Sequence, residues 1–400
     1  MNPNNIIKLS LMMLLQYFIW GAWYVTLGTY MTVHLESSGV QIGAAYSALA
    51  IATMVSPFFV GMVADKYFAA QRIMAVLHIV GAVLLYFATT ISDNTIFYWV
   101  VLGYSLLYMP TIALSNSIAF QQMNDPGKQF PWIRVFGTIG WIVAGLMIGT
   151  MEVEKSGQLP FTFHMAAIAS LVLGLFSFFL PNTPPKGTSE SASKTLGTQA
   201  FVLFKDKPYL VFFIAAILVC IPLSFYYGFA NVFLNDVGME NAAGKMTLGQ
   251  FSEAIFILAI PFLFNRIGVK NMIFIGMLAW IGRYILFAYG NVDEQLWMLY
   301  GGIILHGICY DFFFVTGYMY TEKKAGPQIK NAAQGLFTFA TYGLGMVIGT
   351  LVSGFVTDHY TTVNERAWTN IWLVPAAIAG AVLIYFLIFF KEKNGSMANR

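Results

Sequence analysis

The chain has 400 residues, of which 58% are hydrophobic and only 10% charged, with a formal net charge of +3. Soluble domains carry roughly 25% charged residues, so this composition excludes a soluble globular protein and describes one that lives in lipid. Cys220 and Cys309 both fall inside apolar stretches, which excludes a disulfide framework or a CxxC metal site and leaves them as small core residues.

In chain order, twelve apolar stretches approach or exceed the roughly 20 residues that a helix needs to cross a bilayer. They run over residues 7–33, 40–64, 73–92, 95–120, 132–151, 162–180, 208–234, 246–265, 270–290, 296–320, 331–356 and 368–390. The first is too long for a signal-peptide core and lacks a small-residue cleavage site, so it is expected to stay as the first span. Lys and Arg accumulate on the cytoplasmic side of membrane proteins. One set of alternate connections, with the two ends, holds sixteen of the 21 Lys and Arg; the other holds only Lys155, Lys245 and Arg366, and Arg134 and Arg283 lie within spans. This predicts a multi-pass membrane protein with both termini in the cytoplasm. The net charge is then a consequence of topology, and no nucleic-acid partner is expected.

The one long connection, residues 181–207, is rich in Pro, Ser, Thr, Gly and Lys and reads as a flexible cytoplasmic linker. It divides the chain into residues 1–180, with six spans, and residues 208–400, with six more. A faint parallel repeat agrees: Pro57-Phe58 precedes Lys66 by nine residues and Pro261-Phe262 precedes Lys270 by nine, while Gly145 and Gly149 are answered by Gly345 and Gly349. Two related six-span bundles imply a central site reached alternately from each side. The glycine pairs are what close helix packing requires.

After the second span, Gly61-Met62-Val63-Ala64-Asp65-Lys66 with Arg72 beyond resembles the G-x-x-x-D-[RK] signature of the major facilitator superfamily, with Phe68 where that signature usually has Gly. Five further strings carry a narrower resemblance: Phe18–Trp23, Tyr108–Ser117, Ile133–Trp141, Gly249–Glu253 and Tyr310–Phe313. They resemble the bacterial nucleoside:proton symporter family, most closely its less characterised nucleoside-transporter branch. The resemblance implies an all-α integral membrane protein with the major facilitator fold, twelve transmembrane helices as two six-helix bundles with pseudo-two-fold symmetry. It also implies nucleoside and proton as transported partners, a monomer in the lipid bilayer, and neither cofactor nor metal.

Four ionisable residues, Arg134, Glu253, Arg283 and Asp311, lie deep in apolar spans. A charge at bilayer depth costs at least roughly 2.5–3.5 kcal/mol on insertion scales and so marks a partner, a pathway or a proton relay. In the fifth span Arg134, Thr138 and Trp141 fall at i, i+4 and i+7, a cation, a hydroxyl and a ring along one stripe. The family resemblance gives such a trio contact with nucleoside; an Arg satisfied by carbonyls at a helix contact is the structural alternative. In the eighth span Gln250 and Glu253 pair an amide with a carboxylate, able to grip a sugar diol or a base edge. Both match family binding positions. In the seventh, Ser224, Tyr227 and Asn231 share a face; Ser224 and Tyr227 stand where the better characterised relatives have Gln and Asn.

In the tenth span His306 and Tyr310 share a face, suited to stacking on a planar base, and replace a Tyr and a Phe of the family. Asp311 points about 100° away from Tyr310 and is expected to meet Arg283 or a backbone group. A buried carboxyl whose Arg neighbour moves during a cycle can gain and lose a proton, so Asp311 with Arg283, and next Glu253, are the expected proton-coupling residues; the family's matching Asp implies the same. His78 and His164 show no evident partner. The residues leave open a carrier of another neutral polyhydroxylated solute such as a sugar. A membrane-embedded enzyme is the remote alternative, lacking HExxH, G-x-S-x-G or a catalytic Asp pair.

Overall fold

The computed structural model describes residues 2–59, 67–185, 198–363 and 365–391, so the signature at residues 61–66 and the middle of the linker, residues 186–197, lie outside the described residues. The described chain is helical nearly throughout. Within hydrocarbon no water satisfies a backbone N–H or C=O, and a helix satisfies them internally. Side chains start several of these helices: Asn2 accepts from Asn4 N at 3.0 Å, and Asp93 from Ile96 N at 2.8 Å.

The helices are α1 (Pro3–Tyr24), α2 (Leu27–His34), α3 (Gly39–Phe59), α4 (Ala70–Ala88), α5 (Asn94–Gln121), α6 (Pro126–Thr150) and α7 (Pro160–Ser177), then α8 (Lys207–Asp236) and α9 (Ala242–Tyr289). There follow α10 (Leu296–Ile304), α11 (His306–Tyr310), α12 (Thr316–Thr338), α13 (Met346–His359) and α14 (Trp368–Phe389). Two π-helical turns, Asp311–Val315 and Phe339–Gly345, flank α12. Helix α9 breaks at Gly268 (φ 77°, ψ 164°) and α12 at Gly326 (φ 66°, ψ 179°). Those dihedrals suit a residue without Cβ.

Ten segments among the described residues are helical, long and apolar enough to cross a membrane. One, Leu296–His359, has 64 residues. At 1.5 Å per residue that is about 96 Å of helix, some three times a bilayer core, and the break at Gly326 falls inside it.

The chain divides into two compact units. The first comprises Met1–Thr195, Tyr226–Thr247 and Ser353–Asp358. In it α1 packs on α6 and α7, α4 on α5 and α7, and α3 on α5. Gly145 and Gly149 of α6 lie against Thr247 and Asn241, so this pair serves close packing. The second comprises Leu196–Phe225, Leu248–Val352 and His359–Arg400. Its core stacks Phe212 on Phe337 (5.5 Å between ring centres) and Tyr284 on Trp372 (5.6 Å). Here Gly345 and Gly349 lie against Cys220 and Ser224 of α8, the same use of small residues in a different pair of helices.

Candidate functional site

In the first unit, α1 presents Tyr17, Trp20 and Tyr24 at i, i+3 and i+7, and α6 presents Arg134, Thr138 and Trp141. The Arg134 guanidinium lies 4.0 Å from the centre of the Tyr17 ring. Gly137 makes room, since a Cβ there would come within 2.7 Å of that ring. Trp141 meets Trp20 edge to face at 5.5 Å and Tyr24 at 6.3 Å, and Tyr24 in turn meets Tyr227 at 5.8 Å. Arg134, Trp141 and Tyr227 are thus brought into one aromatic cluster through α1. Arg134, Thr138, Trp141 and Tyr227 are all half-buried, so each keeps surface for a ligand. Sequence reasoning passed over Tyr17; its signal was the ring spacing at 17, 20 and 24 along one helix face.

In the second unit, half-buried Gln250 and Glu253 sit one turn apart on α9, and Glu253 faces the buried His306 of α11. Carboxylate Oε2 is 3.7 Å from imidazole Nε2, and the other ring nitrogen, Nδ1, is 3.1 Å from Arg283 Nη1. Helices α9 and α11 approach this closely at Gly307, where a Cβ would lie 2.5 Å from the Ser252 carbonyl carbon and 2.6 Å from Glu253 N. Ser252 Oγ adds a 2.6 Å hydrogen bond to the Ile304 carbonyl. The His306 and Tyr310 rings stack at 5.8 Å, and the Tyr310 hydroxyl hydrogen-bonds that of Tyr342 in the 339–345 turn. Tyr342 was not foreseen, because a π-helical turn shifts which side chains face inward.

Two expectations change. Among the described residues no group hydrogen-bonds either carboxyl oxygen of the fully buried Asp311, Arg283 and backbone groups included, while Arg283 turns to His306 and packs against Trp280 and Phe287. Spacing gives a residue's direction on its own helix but not which neighbour fills that direction. His78 and His164 do have partners. The His78 ring meets Ser170 Oγ (3.1 Å) and Gln16 Oε1 (3.0 Å), and His164 meets Thr89 Oγ1 (3.0 Å). Ser224 is buried, and its hydroxyl donates to the Cys220 carbonyl at 2.8 Å. Among the described residues no group of three His, Cys, Asp or Glu could hold a metal ion.

A second polar cluster in the first unit went unread. Glu154 accepts from Asn231 Nδ2 (2.7 Å), Asn235 Nδ2 (3.0 Å) and Ala243 N (2.9 Å), and Thr29 donates to Asn231 Oδ1 at 2.6 Å. Beside it, exposed Lys155 and Glu240 pair at 3.0 Å. That hydrogen bond raises the lysine's pKa and lowers the carboxyl's. A loop carboxylate looks like any solvated charge in a sequence, so nothing marked Glu154.

The family model described as nucleoside H+ symporter matches residues 4–395. YegT of Escherichia coli (strain K12) is 42% identical over 406 residues, spanning 98% of this chain and 95% of YegT. Nucleoside permease NupG of the same organism is 35% identical over 408 residues, spanning 98% of this chain and 97% of NupG. The crystal structure of nucleoside transporter NupG superposes with a TM-score of 0.90 over 98% of this chain and 100% of that one. Xanthosine permease of the same organism is 36% identical over 405 residues, spanning 97% of this chain and 96% of that one. The fold is the all-α, membrane-spanning major facilitator architecture expected from the sequence. A family match over nearly the whole length, with relatives this similar end to end, decides membership: the chain belongs to the nucleoside H+ symporter family.

Proposed function

We propose that the protein is a secondary active transporter that imports nucleosides with protons by alternating access, and that it converts its substrate into no other compound. The observation that carries this reading is Glu253, a half-buried carboxylate one turn from Gln250 on α9 of a nucleoside H+ symporter family member. Such a pair suits a ribose diol, since an ionised carboxylate accepts two hydroxyl protons and the amide both donates and accepts. Trp141, Tyr227, His306 and Tyr310 offer faces for the base, and Arg134 and Thr138 offer donors to its edge or to the sugar. Ser224 joins them in a conformer that turns its hydroxyl away from the Cys220 carbonyl. Asp311 carries the coupled proton, with Arg283 as the cation it meets elsewhere in the cycle and Glu253 as the second candidate carrier.

The rest of the reading follows the sequence: twelve spans, six in residues 1–180 and six in 208–400, in a monomer of the inner membrane with both termini cytoplasmic. The helix breaks at Gly268 and Gly326 favour twelve, because each divides a helix into two predicted spans. A thermal-shift panel of nucleosides, nucleobases and free sugars on the detergent-solubilised protein tests the substrate. A ligand at 100 times its Kd stabilises the native state by about 2.7 kcal/mol. Nucleosides should raise the Tm and free sugars leave it unchanged; the reverse would favour a sugar carrier. In proteoliposomes, Asp311→Asn should keep counterflow exchange and lose accumulation driven by an inward proton gradient.

A further inference from the structure

His306 stands between a buried cation and the carboxylate assigned above to the substrate. Its ring is 2% exposed, and Arg283 is fully buried. Arginine only donates, so at 3.1 Å from Arg283 Nη1 the Nδ1 atom is the acceptor. The imidazole proton is therefore on Nε2, directed at Glu253 Oε2 at 3.7 Å. That separation is too long for a hydrogen bond and close enough for a small side-chain movement to make one. Its own segment also carries the titratable Cys309, Tyr310 and Asp311; the Tyr310 ring stacks on it and Tyr342 reaches Tyr310.

We propose that His306 is a proton-binding positioning residue that sets the grip of Glu253 on substrate. This rests on the nucleoside reading above and adds a residue to it. One proton adds to Nδ1, and the hydrogen bond from Arg283 Nη1 is lost because that lone pair is now taken. The imidazolium and guanidinium then repel, and the ring moves toward the carboxylate. Its Nε2–H closes on Glu253 Oε2 as a charge-assisted bond, which fixes the carboxylate plane and leaves Oε1 to accept substrate hydroxyls. Proton and substrate therefore favour each other, and linkage makes the effect reciprocal: substrate binding draws a proton onto His306. No group in this relay changes oxidation state, and the proton leaves from Nδ1 when Arg283 returns.

The test is the pH dependence of nucleoside affinity in detergent, with uridine and adenosine as probes, for wild type, His306→Gln and His306→Tyr. Glutamine keeps an acceptor for Arg283 without a titrating ring; tyrosine keeps the stack on Tyr310 and an oxygen, and guards against a glutamine variant that folds poorly. Wild type should bind more tightly as pH falls below the ordinary histidine range of about 6.5, by roughly 5- to 150-fold, the usual size of a coupling between two sites. Both His306 variants should lose most of that pH dependence. The full wild-type dependence surviving in either His306 variant overturns the proposal, as does a flat wild-type profile. If neither probe binds wild type at any pH while another solute does, the nucleoside reading falls and this proposal falls with it.

Discussion

Glu253 was legible because a carboxylate in an apolar span is expensive, and that expense needs no knowledge of the fold. What the sequence could not supply was its neighbour. Asp311, turned off the Tyr310 face, was expected to meet Arg283 or a backbone group, yet the guanidinium took the imidazole of His306, a residue read only as a stacking wall. Spacing fixes the direction of a side chain on its own helix, but which side chain of another helix meets it depends on packing that the spacing does not carry. Glu253→Gln tests the residue itself. It keeps size and one carbonyl acceptor but removes the charge, so nucleoside affinity should fall by about 1.5–3 kcal/mol, the worth of a charged hydrogen bond. Binding isotherms read this directly, and unchanged affinity would remove Glu253 from the substrate's partners.

Helices were the most legible level, since each carries its own signal in twenty-odd apolar residues. Their ends moved by a few positions: the stretch expected over 73–92 forms Ala70–Ala88, and the first span runs Pro3–His34 with a bend after Tyr24. How helices meet was legible only where small residues recur. Gly307 shows why this matters, because an added methyl would fall 2.5 Å from the Ser252 carbonyl carbon and 2.6 Å from Glu253 N, both backbone atoms that cannot swing aside. Gly307→Ala should cost roughly 1–3 kcal/mol of stability, the usual penalty of overpacking. It should also weaken nucleoside binding by parting Glu253 from His306, which paired thermal-melt and binding measurements would separate from a simple loss of fold. The loop after α6 gives a second contrast. Glu154→Ala removes an acceptor from three donors and should cost about 1.5–3 kcal/mol. Lys155→Ala breaks only an exposed pair and should leave the Tm within scatter. The exposed pair also has a pH window. Glu240's lowered value means its contribution is present above the unfolded carboxyl value and lost as pH falls through the folded one; Lys155's raised value means loss only as pH rises through it.

At the scale of the whole molecule, orientation is written in charge and not in contacts. Helix contacts distinguish no inside from outside, whereas the predicted alternate connections hold sixteen Lys and Arg in one set and three in the other. That asymmetry predicts a cytoplasmic linker, and residue 191, outside the described residues, is a practical reporter in it. The native cysteines give little background: Cys220 and Cys309 are fully buried, so an aqueous thiol reagent has no ready access to either. In Ser191→Cys, a membrane-impermeant maleimide applied to intact cells should therefore give no labelling, and the same reagent applied to inverted membrane vesicles should label strongly. A second cysteine at Lys155, in the opposite set of loops, should behave in the reverse way. Labelling of residue 191 in intact cells would turn the protein over. The inward direction of the proposed proton relay would then reverse as well, because the side from which protons reach His306 and Asp311 is fixed by the same charges.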